Sequence, residues 1–251
     1  MSSALSLAGL CLAAVAVVFL LLARGGAPDW RTASREPVGL APNPSTTPEA
    51  VVQVYGARTY GVRGMFGVHT WVAVKPEKAP AYTVYEVIGW RLRWAESVVV
   101  VRQRDPDARW FGNVPELYAE KRGAEAEKLI PRIDAAARAY PYPNEYAAWP
   151  GPNSNTFTAW ITRAVPELAV DLPPTAIGKD FLSSGFVDTA PSGSGLQFSV
   201  AGLFALTASG VEGFELNLLG LTFGINPFDP ALKLPLIGRL GPARRDPPLS
   251  N

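Results

Sequence analysis

The sequence predicts an α+β fold: an antiparallel sheet with packed helices, followed by a glycine-rich β C-terminal part. Three observations predict it. Pro 24 and Gly 23 make up nearly a fifth of the 251 residues, which favours many turns over a helical bundle. Val68, Thr70, Val72 and Val74 alternate with His69, Trp71 and Ala73, the period-two pattern of a half-buried strand. Leu117, Ala124, Leu129, Ile130, Ile133, Ala136 and Ala137 recur at helical spacing.

Residues 1–24 come first. Ala4 to Ala23 is a 20-residue apolar run, long enough to span a hydrocarbon core of about 30 Å. No Lys or Arg precedes it and no good cleavage site follows, so an uncleaved anchor is expected rather than a removed signal peptide. Leu7 to Cys11 is reminiscent of a lipoprotein box, but Leu10 stands where a small residue is wanted. The expected location is the bacterial inner membrane, with a single N-terminal anchor and the body on the periplasmic side. Arg24, Arg31 and Arg35 pull the other way, because positive charge favours the cytoplasmic side.

Residues 25–50 read as a proline-rich linker. The body, 51–240, reads as one α+β domain, and 241–251 as a flexible tail. Within the body, Val51 to Tyr55, Val68 to Val74, Tyr82 to Ile88 and a buried Val98 to Val101 are strand candidates in an antiparallel meander. The helical stripe runs from Pro115 to Tyr140, with Pro131 expected to kink or split it. A second helix should start around Pro152 to Thr156 and end at Pro166. Beyond Ile177, Leu196 to Leu206 and Phe214 to Phe223 read as strands joined by a Gly/Ser turn, packing on the first sheet.

Composition excludes several chemistries. The net charge is +1 and no nucleic-acid motif appears, so no nucleic-acid partner is expected. Cys11 is the one cysteine and His69 the one histidine, which excludes Cys/His zinc sites. No metal and no cofactor are expected. What remains is His69 on a strand and the hydroxyl of Ser154 at a helix start, the ingredients of a base and a nucleophile. Glu86, on the next strand, is the candidate to orient His69; the alternative is a solvent-facing carboxylate or a partner of Arg91 or Arg93. Ser154 has a bland alternative too: Asn153, Ser154, Asn155 and Thr156 are all favoured at helix caps. In the functional reading, Asn153 or Asn155 donates to an oxyanion. Tyr146 and Trp149 belong to an aromatic loop that either stacks on a sugar ligand or simply covers the core. Lys179-Asp180 is a surface pair or a site pair.

Gly67-Val68-His69-Thr70-Trp71 and Pro152-Asn153-Ser154-Asn155-Thr156-Phe157 resemble the histidine strand and nucleophile helix of papain-like envelope proteins related to NlpC/P60 and lecithin–retinol acyltransferase. The likeness is to their circularly permuted form, in which the histidine precedes the nucleophile. That resemblance implies a permuted papain-like fold and catalytic roles for His69, Ser154 and Glu86. It also marks a departure, since the pattern wants cysteine and position 154 is serine. The body from about 50 to 240 is similar as well to a bacterial family of unknown function, the domain of unknown function 3750. Gly151 to Phe157, Ala176 to Asp180 and Leu218 to Leu221 carry that likeness, which implies no activity.

Three functions are therefore expected to compete. One is a serine hydrolase or acyltransferase on an envelope amide or ester, with a cell-wall or lipid substrate. The second is a non-catalytic binding or assembly module of the same fold, and the third a purely structural anchored domain.

Overall fold

The computed structural model describes residues 29–242. The expected anchor, the start of the linker and most of the expected tail lie outside the described residues. Among the described residues no helix is long and apolar enough to cross a membrane.

Among the described residues the architecture is mixed α+β, with two antiparallel sheets and two α-helices. The first sheet holds β1 (Val51–Arg58), β2 (Val68–Lys75), β3 (Thr83–Val87), β4 (Val99–Gln103) and β5 (Glu116–Arg122), in the order β4-β3-β2-β1-β5. Its first four strands form the expected meander. Runs of Val with aromatics suit a pleated surface buried on both faces, and β1 and β2 are buried almost throughout.

β4 corrects the expectation of a buried strand. It is the sheet's edge, and Val101 is half exposed. The second correction concerns residues 116–122. They form β5, pairing with the far side of β1, and Leu117 lies exposed. Pairing with an open strand edge outweighs the local helical spacing there. Gly123, at φ +63°, makes the turn from strand into helix. Helix α1 then runs Gly123–Arg138 without splitting at Pro131. Pro131 is exposed, so the carbonyl left without its helical donor meets water.

Helix α2, Ser154–Ala164, packs with α1 on one face of the sheet. Val52, Val54, Val72 and Val74 meet Leu129, Ile133, Phe157 and Ile161 in that core. The opposite face carries Tyr55, Trp71, Ala73 and Val84, with Ala41 and Trp110 packed against them. Residues 29–50 hold no helix or strand, yet they are laced to this side. Asp107 accepts from the backbone N–H groups of Leu40 and Ala41, at 2.6 and 3.2 Å. The N–H groups of Arg109 and Gly112 donate to Glu36 and Ser34 carbonyls.

The second sheet is a seven-stranded meander, β12-β11-β10-β9-β8-β7-β6. Its strands are β6 (Val187–Asp188), β7 (Leu196–Val200), β8 (Phe204–Ser209), β9 (Gly213–Leu218), β10 (Leu221–Asn226), β11 (Ala231–Leu234) and β12 (Gly238–Leu240). Each long strand expected here is in fact a hairpin, broken at Ala201-Gly202-Leu203 and at Leu219-Gly220. The sheet's sidedness is the larger surprise. Gln197, Ser199, Thr207, Glu215, Asn217 and Lys233 are buried, while Phe198, Leu206, Phe214, Phe223 and Ile225 are exposed. The sheet thus meets the rest of the domain with polar side chains. Lys179 and Asp180 belong to that buried layer and form neither a surface pair nor a cleft pair.

Candidate functional site

The first turn of α2 is fixed by a capping box. Asn153 Oδ1 accepts from the N–H groups of Asn155 (2.9 Å) and Thr156 (3.2 Å), and Thr156 Oγ1 accepts from Asn153 N–H (3.1 Å). Cis bonds at Trp149-Pro150 and Gly151-Pro152 lead the chain into this cap. Phe157 N–H is satisfied by the Asn153 carbonyl. Ser154 N–H is therefore the amide of this turn left without an acceptor among the described residues. The Ser154 hydroxyl likewise donates to no described residue.

Asn153 and Asn155 have no amide hydrogen to spare for a ligand. Asn153 Nδ2 donates to the carbonyls of Ala148 and Ile177, at 3.2 and 3.0 Å. Asn155 Nδ2 donates to Val68 and Ile177, at 3.0 and 2.8 Å. Their amides tie α2 to the start of β2 and to the segment after Ala176, which makes them scaffold rather than oxyanion donors. Gly178 shows how tight the junction is: a Cβ there would lie 2.3 Å from Asn153 Nδ2, and its φ is +97°.

His69 Nε2 lies 3.1 Å from Glu86 Oε2 in a fully buried pair. The other Glu86 oxygen accepts from Arg102 Nη2 at 3.0 Å and sits 3.5 Å from Arg104 Nε. Glu86 thus pairs with Arg102 and Arg104, not with Arg91 or Arg93. The imidazole stacks on Trp110, ring centroids 3.8 Å apart, and less closely on Trp71. Burial opposes charge on both partners. It carries His69 below its ordinary pKa against the opposing pull of Glu86. Burial also pushes Glu86 upward, but the bond to His69 and the charges of Arg104 and Arg102 outweigh it and hold the carboxyl down at about 2. The consistent protonation state is a neutral imidazole donating Nε2–H to a carboxylate. That leaves Nδ1 with a free lone pair.

Acid should therefore weaken the fold in two stages. A depressed His69 contributes stability that is full above its unfolded value near 6.5 and lost as pH falls through the folded one. Glu86 does the same from 4.5 down to about 2. Urea midpoints followed from pH 7 to pH 2 are expected to fall in both windows, and Glu86→Gln to flatten the lower one. Parallel curves for wild type and variant would refute this account.

His69, Ser154, Asn153, Asn155, Tyr146 and Trp149 all line one cleft of about 1250 Å³, with Glu86 buried behind His69. Strand alternation sets a limit on their meeting. Thr70, not His69, is the β2 side chain that enters the first turn of α2; its hydroxyl contacts Asn155 Oδ1 (3.0 Å) and Thr158 Oγ1 (2.8 Å). His69 leaves the strand on the Trp71 side, and no hydrogen bond joins it to Ser154. Both groups nevertheless line the same cleft, and His69 lies at the start of β2, before the β2–β3 pairing begins at Val72↔Tyr85.

The rest of the lining is not singled out by the sequence. Seven further aromatic rings, Trp90, Trp94 and Trp110 among them, and the guanidinium groups of Arg35, Arg63 and Arg93 surround the cleft. No Asp or Glu lines it among the described residues. An adjoining groove of about 780 Å³ adds Arg91, Arg102, Arg104 and Arg109 against one acid, Asp105. The Trp90–Trp94 and Arg109–Phe111 clusters were visible in the chain, but only the fold brings them to one mouth. Among the described residues there is no group of three or more His, Cys, Asp and Glu side chains placed to hold a metal ion.

The profile of the family described as a protein of unknown function (DUF3750) matches residues 49–181, just over half of the chain. The chain belongs to that family. No curated protein and no solved structure matches it.

Proposed function

We propose that this member of the DUF3750 family is a membrane-anchored envelope protein, its body on the periplasmic side, that cleaves or transfers an acyl group from an ester or amide. One observation carries the reading: among the described residues Ser154 keeps both its hydroxyl and its backbone N–H unspent, in a large cleft that also holds a neutral histidine. Ser154 Oγ attacks the carbonyl carbon, and its proton passes through water in the cleft to His69 Nδ1. Glu86 fixes the tautomer that keeps Nδ1 free. The Ser154 N–H and the positive end of α2 face the oxyanion. His69 then returns the proton to the leaving alcohol or amine. Water or a second acceptor takes the acyl group from Ser154. The histidine-first chain order and the His69–Glu86 pair support a permuted papain-like relationship. The cleft lining suits a substrate with an apolar part and an anionic part.

A second reading, a non-catalytic binding module, is favoured by the placement of Thr70: the strand side chain at the first turn of α2 is no base. Fluorophosphonate labelling separates the two. The catalytic reading expects labelling of the wild type and none of Ser154→Ala. It also expects Ser154→Cys, in a Cys11→Ser background, to be alkylated at pH 6 faster than an ordinary thiol, since a helix N-terminus and a nearby base favour the thiolate. An unlabelled wild type, or labelling that persists in Ser154→Ala, would leave the binding module.

A further inference from the structure

The second sheet is built inside out, and nothing in the proposed chemistry requires this. From β7 to β12, the cross-strand register places Leu206, Leu216, Phe223 and Phe214 on one surface with Ile225 and Leu232. The opposite surface carries the buried polar set. No outward side chain from β7 to β12 offers a hydrogen-bond donor or acceptor. A soluble monomer rarely leaves a contiguous apolar patch of more than a few hundred Å² in water.

We propose that this outer face lies against the hydrocarbon and glycerol region of a lipid bilayer. Three observations select lipid over a second copy of the chain. A protein–protein interface carries about one hydrogen bond per 100–200 Å². This face can supply none from its side chains, whereas hydrocarbon demands none. Secondly, Trp30 and Arg35 line the cleft. In the sequence, the 20-residue apolar run Ala4 to Ala23 ends only a few residues before Trp30, so the chain carries its own segment of bilayer-spanning length. Thirdly, the sheet joins a rim of the composition found at membrane interfaces. Trp149 donates its indole N–H to the Leu219 carbonyl in the β9–β10 turn, at 2.9 Å. Around the same cleft Trp30, Trp90 and Trp94 are exposed, and the Arg31 guanidinium sits over Trp30. Arginines here would meet anionic headgroups.

The inference is independent of the Ser154 chemistry and is tested without it. In full-length Cys11→Ser protein bound to phosphatidylcholine–phosphatidylglycerol vesicles, single cysteines at Leu206, Phe223 and Lys128 are labelled with an environment-sensitive dye. Lys128 is exposed on α1 and serves as the aqueous control. Dyes at 206 and 223 are expected to shift to the blue and to be quenched several-fold more than at 128 by a nitroxide on the acyl chain. Two results would overturn the proposal. One is equal quenching at all three sites, with aqueous iodide reaching each dye. The other is cross-linking between two copies at 206 and 223 without nitroxide quenching, which would assign the face to a second copy.

Discussion

Replacing His69 with glutamine is expected to slow fluorophosphonate acylation of Ser154 roughly 10²–10⁴-fold, the usual worth of a positioned general base. The wild-type rate should rise with pH through a midpoint below 6.5, because burial lowers the pKa of His69. The glutamine variant should show no such midpoint. Glu86 stays paired with Arg102 and Arg104 in this variant, so the pocket keeps its charge balance. Glu86→Gln tests the positioning role separately. A glutamine amide can donate to Nε2 and drive the ring proton onto Nδ1, the nitrogen that must accept. Its rate should fall and its pH profile change shape, which loss of packing alone would not produce. If wild type and His69→Gln acylate at the same rate with the same pH profile, Ser154 has no base. The placement of Thr70 at the first turn of α2 then becomes the decisive fact.

That placement shows where the sequence was readable and where it stopped. The alternation in β2 is plain in the chain, and it puts His69 with Trp71 and Thr70 with Val72. Nothing local says which face α2 will cover, because helix docking is decided by Phe157, Ile161 and the valines of the far strands together. The start of α2 was equally plain, since Asn153 and Thr156 are strong capping residues whatever they neighbour. The bonds from Asn155 to Val68 and Ile177 were not legible, and they are what remove both asparagines from the candidate oxyanion site. Glu86 is legible from its strand position. Its arginine partners are not, because Arg91 and Arg93 are nearer in sequence, while Arg102 and Arg104 lie on and just beyond the paired strand β4. Residues 116–122 show the remaining limit: their spacing is compatible with a helix, and only the free edge of β1 makes them a strand.

The glycine-rich strands show the same limit with the largest energetic consequence, and adjacent residues of β9 measure it. Glu215→Leu is expected to destabilise the fold by about 3–5 kcal/mol, from the loss of two hydrogen bonds to buried charged groups at about 1.5–3 kcal/mol each. Glu215 binds the ammonium groups of both Lys179 and Lys233, with Lys233 Nζ at 2.6 Å. Asp180 and Asp171 remain as one carboxylate for each lysine, at 3.2 and 2.5 Å, so the loss falls short of two stranded charges. Asp180 is also engaged by Gln197 and Asn217, which leaves it little freedom to compensate. Leu216→Thr, one residue on, is expected to change stability in water by no more than about 0.5 kcal/mol, because its side chain points to the outer face. In an ordinary amphipathic sheet the two results would be reversed, the leucine being core and the glutamate solvated. Urea unfolding of the two variants measures both. A Glu215→Leu protein as stable as wild type, or a Leu216→Thr protein that collapses, would mean that the polar layer is not the face packed against the domain.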